Sequence, residues 1–115
     1  MYNPYPEVVN ALKTIGLPVH YEMVLHSGLS VPCISYMLIN NSADVTGDTI
    51  GYSNLAFQIK VWGHDLTALV QYIQEIDNVL RPLGWKRTNY NELGDPNSTM
   101  IQCITTYEAI SLEEF

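Results

Sequence analysis

The stretch LAFQIKVWGHDLTALVQYIQEIDNVL (Leu55–Leu80) changes its hydrophobic period halfway along, and that change decides the fold class. Leu55, Phe57, Ile59 and Val61 alternate with Ala56, Gln58, Lys60 and Trp62, the two-residue repeat of a strand. Beyond Gly63-His64-Asp65 the spacing lengthens. Leu66, Leu69, Val70, Ile73, Ile76 and Leu80 fall on one stripe, with Gln71, Gln74, Glu75 and Asn78 opposite, as in an amphipathic helix. Asp65 stands where an N-cap belongs, and Pro82 and Gly84 end the helix. Burying six such side chains contributes on the order of 10 kcal/mol of gross transfer free energy, largely offset by chain entropy. Phe57 and Ile59 are the expected centre of the core.

Upstream, Glu7–Ile15 reads as a short helix. Val8, Ala11, Leu12 and Ile15 make its apolar stripe, Pro6 and Glu7 suit its start, and Gly16 and Pro18 stop it. From Val19 the period is two: Val19, Tyr21, Met23 and Leu25 share one face, His20, Glu22, Val24 and His26 the other. Gly28 and Pro32 make Ser27–Pro32 a turn. Cys33–Ile39 is a nearly continuous apolar run, the pattern of a strand covered on both faces. Downstream, Trp85–Tyr90 and Thr99–Tyr107 read as strands joined through Asn91–Ser98, a hairpin. The order is α-β-β-β-α-β-β. It predicts one α+β domain over residues 1–115: a mainly antiparallel sheet, two helices packed on one face, and a long β-hairpin arm.

Length and composition agree with one domain. The chain has 115 residues, 47% of them hydrophobic, enough for one core and too few for two. No apolar run nears the roughly 18 residues of a membrane span. The start, MYNPYPEVV, lacks the basic and apolar parts of a signal peptide, so the protein is expected inside the cell. Twelve acids against five bases give a net charge of −7. A nucleic-acid reader carries a basic patch to neutralise phosphates. Here Lys86 and Arg87 are the only adjacent basic pair, and on a strand they point to opposite faces. Sequence-specific nucleic-acid binding is not expected.

Motifs for catalysis or cofactors are missing. No Gly-rich phosphate loop, G-x-S-x-G turn or paired-cysteine zinc spacing occurs. Cys33 and Cys103 lie in strand contexts where thiols pack rather than react. His20, Glu22 and His26 would project from one strand face and offer metal-type ligands, but such spacing is commoner on a face that meets solvent or another subunit. No metal, cofactor or catalytic residue is therefore assigned. The strongest functional hint is Asn40–Asn54, a polar connection longer than a hairpin requires, carrying Asp44 and Asp48 and no base. Asp44, Asp48, Ile50, Tyr52 and Asn54 are the candidate assembly contacts. An exposed edge strand also invites pairing with a neighbour.

The order of elements, with the arm, the strand LAFQIKVWG, the helix DLTALVQYIQEIDNVL and then Leu83-Gly84-Trp85, resembles the tail-terminator, or tail-to-head joining, proteins of long-tailed bacteriophages. The likeness covers nearly the whole chain and is one of order and texture. It implies a structural virion protein without catalytic residues that assembles as a homo-hexameric ring from copies that are monomeric when free. The ring caps the tail tube and forms the head-attachment surface while DNA passes through it. The implied partners are further copies of the chain, the tail tube protein and the head-completion or connector protein, with no membrane. The implied location is the virion, and the host cytoplasm during assembly. Two alternatives stand beside it. One is another neck component, a head-completion or minor tail protein. The other is a small α+β module with a ligand pocket lined by Tyr21, Tyr36, Trp62 and Trp85.

Overall fold

A computed structural model describes residues 3–22, 30–46 and 49–111, with only the backbone described for 40–53 and 111. Helix α1 spans Tyr5–Lys13 and strand β1 Val19–Tyr21. Strands β2 (Cys33–Thr46) and β3 (Thr49–Gly63) precede helix α2 (Leu66–Leu80), and β4 (Lys86–Gly94) and β5 (Ile101–Ser111) follow. The five strands lie in one sheet in the order β1-β2-β3-β5-β4. β1 runs parallel to β2, and every other pair is antiparallel. This is the expected α+β class and element order.

The period change at Gly63 becomes a change of element. Leu55, Phe57, Ile59 and Val61 are all at most 1% exposed and face the helices. Leu69, Ile73, Ile76 and Leu80 of α2 and Val8 and Leu12 of α1 close over them, joined by Trp85, Cys103 and Tyr107. Leu66, at the start of the α2 stripe, remains 40% exposed. Phe57 sits edge-on to both Tyr5 and Trp85, with ring centroids 5.3 Å apart in each case. Asp65 caps α2 by accepting from the Thr67 N–H at 3.1 Å. Gly16 and Gly84 take the left-handed conformation (φ 94° and 95°) that ends each helical segment, a region closed to most side chains.

The expected bounds of several elements need adjustment. β1 ends at Tyr21, and Glu22 has already left the strand. Met23, Val24, Leu25, His26 and Gly28 lie outside the described residues. Of the expected turn at Ser27–Pro32, residues 27–29 lie outside the described residues, and the strands on either side of it, β1 and β2, pair in parallel. β2 is covered on both faces where it begins, Ile34 by the core and Ser35 by the neighbouring Glu22 and Trp62 side chains, but the cover does not reach Ile39, which is 45% exposed. Finally, β4 continues through Asn91–Gly94, which turn-forming composition had assigned to the connection, because each pairs with β5. A bulge between Arg87 and Asn89 bends this edge strand, and the buried Thr105 hydroxyl donates to the Asn89 carbonyl at 3.1 Å.

Candidate functional site

Strand pairing carries β2 and β3 well past the helices. Leu38 pairs with Phe57 at the core, and the ladder continues through Ser42–Asn54 and Asp44–Tyr52 to Thr46–Thr49. Among the described residues, β5 accompanies β3 as far as Ser53. The polar connection read from the sequence is therefore a β-ribbon, two-stranded towards its tip among the described residues. The molecule measures 54 × 25 × 22 Å, and the ribbon lies along the long direction.

Register assigns the candidate contacts to positions. In β3, Ile50, Tyr52 and Asn54 alternate with Leu55 and Phe57 and so fall on the face opposite the helices. Asp44, paired with Tyr52, shares that face. Asp48 lies outside the described residues. Four of the five candidates thus sit on one face of the ribbon, continuous with the helix-free face of the sheet.

That helix-free face holds a closed polar cluster that sequence reasoning missed. The Glu22 carboxylate accepts from Ser35 Oγ at 2.5 Å and from Lys60 Nζ at 2.7 Å. Trp62 Nε1 donates to Ser35 Oγ at 3.0 Å, and Lys60 Nζ stands 5.5 Å from the Trp62 ring centroid. The side chains of Lys60 and Glu22 are each 17% exposed, and Ser35 is fully buried. Each charge is matched and each donor directed, so the cluster fixes the end of β1 against β2 and β3. A serine without solvent access is not a nucleophile. The one sequence signal was Lys60, a lone base inside an apolar strand, and its partner was invisible without the register Ser35–Lys60.

Glu22 also bears on the candidate metal ligands. Both of its oxygens are engaged, and His26 lies outside the described residues. Among the described residues, no group of three or more His, Cys, Asp or Glu side chains can hold a metal. The four aromatics suggested for a ligand pocket are split between faces. Tyr21 and Tyr36 meet edge-on (5.7 Å) and Trp85 packs on Phe57, all on the helix side, while Trp62 is on the other.

Elsewhere, a groove of about 500 Å³ opens where β4 begins and β5 runs on beyond it, lined by Lys86, Glu108, Ala109 and Ile110 among others. Ile110 is 64% exposed there. Cys33 and Cys103 are free and buried, and burial pushes both thiols above their ordinary range, which disfavours the reactive thiolate. No helix among the described residues is long and apolar enough to cross a membrane. No protein-family model matches this chain, and neither does any curated protein.

Proposed function

We propose that this chain is a structural assembly protein of a bacteriophage or prophage, a tail terminator that acts as a ring of copies. The ring caps the tail tube and presents the surface to which the filled head attaches. The observation that carries the reading is the β2–β3 ribbon, which extends beyond the core with its candidate contacts on one face. An extended ribbon with solvated backbone edges is suited to contact, either with another copy or with the tube. The resemblance in element order supports the same role.

Charge fits it. Six copies carry a formal −42, six times −7 each. An acidic lumen repels the phosphate backbone and lets the genome pass without sticking. Mass measurement of the purified protein, alone and with tail tubes, tests the proposal. A hexamer, or a hexamer formed on the tube end, is the expected result. A monomer under both conditions, with tubes left uncapped, refutes it. Replacing Asp44–Gly51 by a two-residue Asn-Gly turn should leave a folded protein that does not join heads to tails.

A further inference from the structure

The sheet ends in two unequal open edges. At one side β4 presents its outer edge, nine residues long, with no partner strand among the described residues. At the other, β1 covers β2 only from Ile34 to Tyr36, so the outer edge of β2 from Met37 onward is also unpaired among the described residues. Unpaired backbone donors and acceptors on a long edge are a template for another strand. The two edges run in opposite directions. β1 and β2 point one way, β3 the other, β5 with β2, and β4 against it. Two copies in the same orientation therefore bring β4 of one antiparallel to β2 of the next.

We infer that the outer edge of β4 pairs antiparallel with the outer edge of β2 in a second copy of this chain, carrying the sheet from copy to copy. This rests on the assembly reading above and names the surfaces that perform it. Face parity limits the register, because paired residues must point to the same side of a continuous sheet. Lys86, Asn89, Asn91 and Leu93 lie on the helix-free face, being level with Glu108, Thr106, Ile104 and Gln102. On β2 that face holds Met37, Asn40, Ser42 and Asp44. β4 has one register shift, at Thr88, and β2 has two, at Ile39 and between Asp44 and Thr46; Thr88 and Ile39 fall within the stretch that would pair. Aligning Lys86 with Asp44 then sets Asn89 against Ser42, Asn91 against Asn40 and Leu93 against Met37, with the two bulges accommodated.

Charge selects this register from those that parity allows. Lys60 and Arg81 are held by Glu22 and Asp77, whereas Lys86 and Arg87 make no ion pair among the described residues. Asn40–Asn54 carries two acids and no base. The contact also gives Leu93, 54% exposed, an apolar neighbour in Met37. Within one copy Lys86 is level with Asn40, through Glu108 and Ala56. Meeting Asp44 shifts the next copy by four positions, about 13 Å, across the four-strand repeat β2-β3-β5-β4, about 19 Å wide. The strands are then tilted by about 35°, the tilt with which sheets close on themselves. The contact is heterologous, the kind that generates a ring.

A cysteine pair tests it directly. In one copy Met37 is level with Asn89, across β3 and β5 from Leu93 and four positions along the strand from it, about 20 Å in all and beyond disulfide reach. Under mild oxidation the full chain carrying both Met37→Cys and Leu93→Cys should give a ladder of covalent oligomers, and each single variant should stop at dimers. Lys86→Asp or Asp44→Lys alone should weaken self-association about tenfold without lowering the melting temperature, and the two together should restore it. Absence of the ladder, failure of the double reversal to restore association, or a monomer at every concentration overturns the inference. A ring that forms without the ladder leaves the tail-terminator proposal standing and removes this contact. A ladder with uncapped tubes does the reverse.

Discussion

Tyr107 ties the sheet to the main helix through one hydroxyl. Its ring is fully buried, and its Oη–H donates to Asp77 Oδ1 at 3.1 Å, while Arg81 donates to the other oxygen at 2.6 Å. The Arg81 side chain is 71% exposed, so that ion pair adds little by itself. Tyr107→Phe should cost about 1–2 kcal/mol, the worth of a hydrogen bond to a charged group, read as a lower urea midpoint. Burial first, and then the Asp77 carboxylate, push the phenol well above its usual range; burial acts likewise on Tyr90, beside Cys103 and Glu92. The unfolded chain ionises its tyrosines near pH 10, so their contribution is complete below about pH 10 and declines as pH rises above it. Tyr107→Phe should flatten that alkaline decline in urea titrations. Glu22→Gln tests the second cluster. It leaves Lys60 without a counter-charge and should cost about 2 kcal/mol in thermal unfolding; an unchanged melting temperature would remove the cluster from the stability account.

Gly63 joins the central strand to α2 at close range. A Cβ there would lie 2.8 Å from Leu69 Cδ2 and 3.6 Å from Pro32 Cβ, against a leucine only 1% exposed. Gly63→Ala should therefore destabilise by about 1–2 kcal/mol, the usual cost of overpacking, in equilibrium unfolding. The periodicity around this junction made β3, α2 and the core legible, because both faces of that strand and helix differ sharply in polarity. The parallel pairing of β1 was not legible, since side-chain alternation is the same in parallel and antiparallel ladders. Nor was the length of β4: Asn91, Glu92 and Gly94 are poor strand formers, held in place by β5. The ribbon read as a loop because Asn40–Asn54 is rich in Asn, Asp, Ser, Thr and Gly and shows no apolar alternation. Ser35 and Lys60 became a site only once β2 and β3 were set in register.

The ribbon also sets the overall dimensions. A compact domain of this length has a radius of gyration of about 13 Å, whereas this molecule has 15.3 Å. The excess follows from a long projection on a body only 25 × 22 Å across. The pairs from Cys33–Trp62 to Ala43–Ser53 hold β2 to β3 without the tip. Replacing Asp44–Gly51 by Asn-Gly, a sequence suited to tight hairpins, should therefore lower the radius of gyration towards about 13 Å in X-ray scattering. The unfolding free energy should stay within about 1 kcal/mol of the parent, because the removed pairs lie at the far end of the β2–β3 ladder and the longer part of it remains. The same variant should lose self-association, since it lacks Asp44 and the acidic segment that the β4 edge is inferred to meet. A variant that shrinks as expected and still assembles would show that the contact lies on the body of the domain, and that the projection serves the tube or the head instead.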